Sequence, residues 1–556
     1  MSAPLSLPRK LLYAALLSGT ALALLLGGIE LGLRLAGSGH APGFFRRTTT
    51  AEGETVWREN RWAMAPYFPP ALIRRPQPLR LPGKKAPGTY RIFILGSSAA
   101  MGDPEPSFSL ARVLEVMLRA AYPAQHFEVV NAGVTAINSH VVRGIARDCA
   151  PLEPDLFIVY EGNNEVIGPF GPVGVLAPFL RGERAIQAAT WLKSTRTGQW
   201  LAQLGARRQA AEWGGMGLFL QQQIAADDPR LTVVREHFRA NLVDIAATAR
   251  RAGAKLLLCT VATNQRDFAP FQSANGEAEK IFQQGRQALA EGRDAEAREL
   301  LQRALDLDTL RFRTDSALNQ VVRDLGAASP DGLTVVDAAA ALAAHSPHGI
   351  CGNEFFYEHV HLNLRGTCEV VAALFPAITA DLARRGLARE PAPAPIGYAE
   401  IGPRLGYNTY EQTMIALELV HRFGQPPFTA QSDHAARIAA WQRVADQGQA
   451  LLARPDATEA LREIGARALA QSPGDWILAR NTGAMLVSRQ RPADALPLLE
   501  QASHWIDDDV DTLVALGWAH RALGHTADAE AAFTRARQLE PNYPNLPPVP
   551  NGPVYP

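Results

Sequence analysis

The chain has 556 residues, 47% of them hydrophobic and 20% charged, a composition that excludes a disordered polymer and a length that points to two or three domains. Lysine plus arginine and aspartate plus glutamate are equal at 55 each, so nothing supports a nucleic-acid partner, which requires a basic face. The four cysteines, Cys149, Cys259, Cys351 and Cys368, lack metal spacing such as C-x-x-C, and the sequence implies no metal and no cofactor. Export would permit a disulfide, with Cys351 and Cys368 one possible pair.

Arg9 and Lys10 precede an apolar run over residues 11–29, closed by Glu30. The run is longer than the roughly 7–15 residues of a signal-peptide core and close to the roughly 20 that span a bilayer. Glu30 and Arg34 stand where small residues would mark a cleavage site. Residues 1–37 are therefore expected to be an uncleaved single-pass anchor in the inner (cytoplasmic) membrane. The basic residues before the run hold the N-terminus inside, which places the rest on the exported, periplasmic side. Residues 38–88, rich in proline and arginine, read as a linker.

Short apolar runs at 90–95, 127–130, 155–160, 255–261 and 332–336 read as strands. Helical spacing separates them over 107–122, 140–150 and 231–251, the last stopped by Gly253. Such alternation predicts a parallel sheet covered on both faces, a three-layer α/β domain over about 89–390. Sheets of this kind gather ligands at the carboxyl ends of their strands. Two segments interrupt the pattern. Residues 166–228 carry Phe170, Trp191, Trp200, Trp213 and Phe219 and read either as a lid or substrate wall or as a structural insertion. Residues 276–308 read as an inserted helical hairpin.

That hairpin shares its spacing with the C-terminal part. Gly517, Ala529, Phe533 and Ala536 recur 34 residues earlier as Gly483, Ala495, Leu499 and Ala502, and Gly285, Ala297, Leu301 and Ala304 keep the same offsets. A period of 34 with small residues at fixed places resembles tetratricopeptide repeats, in which small side chains let paired helices approach closely. The resemblance implies an all-α domain over 396–545 that binds a protein partner on its concave surface, or else braces the α/β domain. Residues 546–556 are too proline-rich for helix.

Four separated segments carry the chemistry. Ser98 lies third in Gly96-Ser97-Ser98, between a strand and a helix, where the hydroxyl is exposed and a helix N-terminus favours negative charge. Serine needs a base to become a nucleophile; His361 is the candidate, with Glu358 three residues earlier, within one turn, to hold its tautomer. Gly133, in Asn131-Ala132-Gly133, offers a backbone N–H and no Cβ. Asn164, in Gly162-Asn163-Asn164-Glu165, offers a side-chain amide. With the Ser98 N–H these would form an oxyanion hole. Ser97 as nucleophile, Asn164 as a helix cap, and Glu358, His359 and His361 as metal ligands are the competing readings.

These segments resemble the SGNH (GDSL-like) hydrolase family over about residues 88–386. The resemblance implies a flavodoxin-like parallel sheet, Ser98, Glu358 and His361 as the catalytic residues, and Ser98, Gly133 and Asn164 around the oxyanion. Ser97 replaces the acidic residue usual before the nucleophile, and Glu358 replaces the usual aspartate. The implied activity is hydrolysis of an acyl ester of a glycan or lipid. The alternatives are acyl transfer to an envelope glycan, and a non-catalytic scaffold built on the same fold.

Overall fold

A computed structural model describes residues 7–50, 52–174, 178–206, 215–328, 333–388, 391, 393–541, 543–544 and 546–547. Trp213 and residues 548–556 of the proline-rich tail lie outside this set. The chain begins with α1 (Leu7–Leu35), whose most apolar window has none of its residues buried. At 1.5 Å per residue, its 11–29 stretch is about 28 Å long, matching the roughly 30 Å hydrocarbon layer.

Residues 38–88 are not a linker. They form an antiparallel sheet of β1 (Phe45–Thr49), β2 (Thr55–Glu59) and β3 (Arg80–Pro82). Phe44, Met64, Phe68 and Leu72 from this segment are buried in the main core. The arginines that suggested a linker are docking residues: Arg46 and Arg58 pair with Asp508 and Asp507, in a turn between two C-terminal helices.

Beyond them run β4 (Thr89–Gly96), α2 (Ser98–Met101), α3 (Leu110–Ala121), β5 (His126–Asn131), α4 (Ser139–Cys149) and β6 (Leu156–Tyr160). The first interruption holds α5 (Glu183–Ser194) and α6 (Arg196–Ala206), and α7 (Arg230–Arg251) leads into β7 (Lys255–Cys259). The inserted hairpin is α8 (Glu277–Ala290) and α9 (Asp294–Asp306), followed by α10 (Ser316–Ala328), β8 (Leu333–Val336), α11 (Ala338–His345) and α12 (Leu364–Arg384). The five strands from β4 onward are all parallel, in the order β5-β4-β6-β7-β8. Every residue of β4 and β6 is buried, as expected of strands covered on both faces. Helices α3 and α12 cover one face and α4 and α7 the other. The order reverses between β4 and β6, so the crevice at their carboxyl ends is the natural ligand site.

The chain ends in helices α13 (Tyr398–Arg404), α14 (Thr409–Phe423), α15 (His434–Leu452), α16 (Ala457–Gln471), α17 (Trp476–Ser488), α18 (Pro492–Trp505), α19 (Val510–Ala522) and α20 (Thr526–Leu539). The boundary expected near 390–396 does not divide the core. Ile401, Leu405, Ile415, Leu419, Phe423 and Phe428 are buried with the α/β domain, and a separate cluster starts only around Leu452. The first helices past the boundary have apolar faces that the sheet domain, rather than the repeats, takes up. The 34-residue pattern is a packing rule. A Cβ on Gly285, Gly483 or Gly517 would lie 2.8, 2.7 or 2.4 Å from the side chain sixteen positions on, Leu301, Leu499 or Phe533. All four cysteines are buried and free, so Cys351 and Cys368 are not paired.

Candidate active site

The site starts where β4 leaves the sheet. A Cβ on Gly96 would sit 2.2 Å from the Tyr160 carbonyl oxygen of β6, so only glycine permits this exit. Ser97 is buried and gives its hydroxyl and N–H to the Glu161 carboxylate. Ser98, the first residue of the one-turn helix α2, is the partly exposed one of the two. Its Oγ lies 2.7 Å from His361 Nε2.

His361 reaches this position from a tight loop rather than a helix. The Tyr357 N–H donates to the His361 carbonyl (2.9 Å), and Phe356 and Leu362 form a β-bridge. Glu358, with only 1% of its surface exposed, accepts the backbone N–H groups of His361 (2.9 Å) and His359 (2.7 Å). Its Oε1 pairs with Nδ1 of His361 and its Oε2 with Nδ1 of His359. One carboxylate thus bridges two imidazoles. His359 packs against Phe268, Phe271, Phe312 and Phe428, and burial drives its pKa well below the ordinary value. Burial also lowers the His361 pKa, to about 4, against the opposing pull of Asp103. His361 is therefore a neutral base at physiological pH.

Asn164 faces the same cavity as Ser98. Its Nδ2 donates to the Ile137 carbonyl (3.0 Å), which fixes the amide and leaves its second N–H uncommitted. Gly133 is not brought to this cavity. Its N–H donates to Asn131 Oδ1 (3.1 Å), and a Cβ there would be 2.8 Å from the Met101 nitrogen. Its bareness lets α2 pack on the turn after β5. Three residues on, Ala136 lines the cavity with φ of +58°, a region costly for a residue with a side chain. Among the described residues no acceptor takes its N–H. Nothing in the sequence marks Ala136, because the signal is a dihedral angle and not a residue type.

Two further residues escape sequence reading. Asp103 Oδ2 lies 3.5 Å from His361 Nδ1 and is paired with Arg422 of α14. Burial works to raise the Asp103 pKa, but Arg422 and His361 outweigh it and keep the carboxyl below its usual range. Asp103 could have been suspected from its place five residues after Ser98. Arg422 could not, since more than 300 residues separate it from the nucleophile.

The cavity is about 390 Å³. Ile167, Met216, Phe219, Phe312 and Phe428 give it an apolar wall, while Glu418, His421, Arg422 and Gln425 of α14 and its following turn give it a polar rim. Larger clefts lie between α3 and α17 and beside α7, but neither contains a nucleophile beside a base. Behind the Asn164 loop, Glu165 accepts the Ser139 N–H (2.8 Å) and hydroxyl (2.7 Å) at the start of α4. Burial raises the pKa of Glu165 to about 7 and that of neighbouring Glu161 well above normal. The two carboxyls hold the Ser97 and Asn164 segments from behind. Glu358, His359 and His361 spend both carboxylate oxygens and both Nδ1 atoms on one another, an arrangement unlike a convergent metal-ligand set.

Residues 510–543 match the tetratricopeptide repeat model. This stretch is a tetratricopeptide repeat. No curated protein matches the sequence. Among solved structures the chain is similar to a GDSL-like lipase from Bacteroides thetaiotaomicron, with 12% identity over 52% of this chain and 88% of that one and a TM-score of 0.28. It is similar to a lipase/acylhydrolase from Enterococcus faecalis, with 15% identity over 52% and 96% and a TM-score of 0.28. It is similar to the acetyl xylan esterase AlAXEase, with 11% identity over 52% and 99% and a TM-score of 0.28.

Proposed function

We propose that the chain is a serine hydrolase, anchored by α1 in the inner membrane with its cavity on the exported side, that cleaves ester-linked acyl groups of a glycan or lipid. The observation that carries this reading is the 2.7 Å approach of Ser98 Oγ to His361 Nε2, with Glu358 paired to Nδ1 of the same ring. Glu358 fixes the tautomer in which Nε2 is the base. His361 takes the Ser98 proton as Oγ bonds to the carbonyl carbon. The oxyanion so formed is held by the N–H groups of Ser98 and Ala136 and the amide of Asn164, each such donor worth about 3 kcal/mol in kcat. His361 then gives the proton to the departing alcohol, leaving an acyl-serine. Water attacks that ester, its proton passes to His361 and from there to the departing Ser98 Oγ, and release of the acid leaves the serine and the neutral base restored.

The apolar wall suits the acyl group and the α14 rim suits a polyhydroxy alcohol. That rim favours a second reading, in which a sugar hydroxyl replaces water in the second half-reaction. A fluorophosphonate probe tests both readings at once, since both require Ser98 to be labelled. Acyl transfer is separated from hydrolysis by following product partition as an acceptor alcohol is added. The repeats, docked on the α/β domain through Arg112–Asp475 and Arg58–Asp507, leave their outer helices for a protein partner. Probe labelling that is unchanged in Ser98→Ala would remove the site from consideration.

A further inference from the structure

Most of the exposed large hydrophobic side chains among the described residues belong to two places: α1, and the α5–α6 hairpin. In α5, Ile186 points into the core and is 1% exposed, while Trp191 and Leu192 on the outer side are 68% and 50% exposed. Arg184, Ala185 and Ala188 share that outer side, at the spacing of three to four that defines one helix face. In α6, Trp200 and Leu201 are 43% and 52% exposed. The hairpin is thus amphipathic in the wrong sense for water. A patch of this kind marks an interaction surface.

The hairpin is also tied to the end of the apolar span. Glu30, the residue that closes the 11–29 run, accepts the N–H groups of Arg196 (3.1 Å) and Thr197 (2.8 Å) and the Thr197 hydroxyl (2.9 Å). It therefore caps the first turn of α6 from another helix. If the 11–29 run fills the hydrocarbon layer, Glu30 stands at its edge. Trp200 is then about 5 Å further along α6, three residues at 1.5 Å each. Tryptophan is the side chain that prefers this depth, with its apolar ring in the acyl region and its N–H among headgroups. Arg181 and Arg184, exposed around the start of α5, suit anionic headgroups.

We infer that the α5–α6 hairpin is a second membrane element, lying in the headgroup layer with Trp191, Leu192, Trp200 and Leu201 turned into the bilayer beside α1. It rests on the anchor reading above and adds to it that the globular part is fixed in orientation and does not swing on a tether. The occupant of this face is lipid, because the face is continuous with the apolar span through the Glu30 cap.

Tryptophan fluorescence reads the hairpin separately from the anchor, since α1 contains no tryptophan. The full chain is reconstituted in vesicles of phosphatidylethanolamine and phosphatidylglycerol whose acyl chains carry bromine just below the ester. Flotation with the vesicles reports the anchor, and quenching by bromine reports the rings. The expected result is flotation together with quenching of roughly a fifth of the emission, two rings of the nine tryptophans, as expected for rings at the interface. This component is lost in Trp191→Phe/Trp200→Phe, which still floats and keeps its ester turnover. A protein that floats but shows equal quenching in wild type and double variant overturns the hairpin inference and leaves the anchor standing; capture of a protein on this face without a quenching difference overturns it in the same way. A protein that does not float overturns both.

Discussion

Arg422→Gln removes a cation that pairs with Asp103 and that itself depresses the His361 pKa, and the consequence is expected in the acid limb of the rate profile. In the wild type, burial holds the His361 pKa at about 4, so the neutral imidazole persists at all higher pH and activity falls only as pH drops through that value. Without Arg422, its repulsion of the imidazolium is lost, while the Asp103 carboxylate 3.5 Å from Nδ1 stays in place. Arg422 is 2.5 Å from Asp103 Oδ2 and that oxygen 3.5 Å from Nδ1, so guanidinium and ring lie within about 6 Å, where two unit charges interact by about 0.7 kcal/mol at an effective dielectric of 80 and about 2.8 kcal/mol at 20. The Arg422 and Asp103 side chains are only 20% and 19% exposed, which sets the interaction between these two limits, about one to one and a half pH units at 1.36 kcal/mol per unit. The shift is upward, because the protonated ring loses a like-charged neighbour. Profiles of kcat/KM measured with a short-chain ester, with acid release determined after quenching, should therefore show a limb near pH 5 in place of one near 4. The rate at pH 8 should change little, since the ring is neutral in both proteins. Circular dichroism over the same range separates titration from acid unfolding, which loss of a half-buried pair also promotes. A limb that stays at the wild-type pH in a folded Arg422→Gln protein refutes the assignment of α14 to the site.

Ser98→Ala should abolish turnover of an activated acetate ester, and Asn164→Ala should lower kcat by roughly 10²–10³-fold with folding intact; both are read by steady-state kinetics with thermal denaturation as control. Gly133→Ala drives a Cβ to 2.8 Å from the Met101 backbone and should cost about 1–3 kcal/mol of stability, whereas Ala136→Gly, which relieves a positive φ, should leave stability unchanged or slightly higher by urea denaturation. Gly517→Ala places a Cβ 2.4 Å from the Phe533 ring and should lower the melting temperature of the full chain while kcat for a small ester is retained. Ending the chain at residue 395 removes six buried side chains of the main core along with Arg422, and the product should be insoluble or inactive in a direct comparison with the full chain.

The parallel sheet was legible because each of its strands is a short apolar run ended by glycine or a polar turn residue, and the helical hairpins were legible because a 34-residue period repeats small side chains at contact points. The site was legible in part. Ser98, Glu358, His361 and Asn164 carry functional groups whose type and order can be read, and the structure gathers Ser98, His361 and Asn164 at one cavity with Glu358 buried behind the His361 ring. Gly133 misled because glycine has two uses: its bareness suggested access for a substrate, while here it admits the Met101 backbone. Ala136 acts through a backbone angle, and Asp103 and Arg422 through a pair closed across more than 300 residues, neither of which leaves a local pattern. The segment before the sheet was misread because its arginines resemble those of a linker, and only the distant acidic partners Asp507 and Asp508 reveal them as docking residues.

These long-range pairs bear on how the two halves of the chain work together. Helix α14 is covalently part of the helical region, yet its apolar face is buried with the sheet domain and its polar residues rim the cavity beside Ser98. Arg422 sets the charge around His361 through Asp103. The next helices follow α14 in turn, through α15 and α16 to the repeat at 510–543, with the apolar core changing over at Leu452. A protein that binds the repeats has a route to catalysis through α14, or through the ion pairs that seat the repeats on β1–β3 and α3. Movement of α14 has an observable of its own, since Arg422 is among the charges that set the His361 pKa. If a partner displaces α14, the acid limb of the partner-bound enzyme should shift upward as in Arg422→Gln; if it binds the outer helices alone, the limb stays and only KM for a substrate carried by that partner changes. A pH profile measured with and without partner thus distinguishes a regulated hydrolase from one that is merely recruited, and a partner that changes kcat at pH 8 without moving the limb would contradict both.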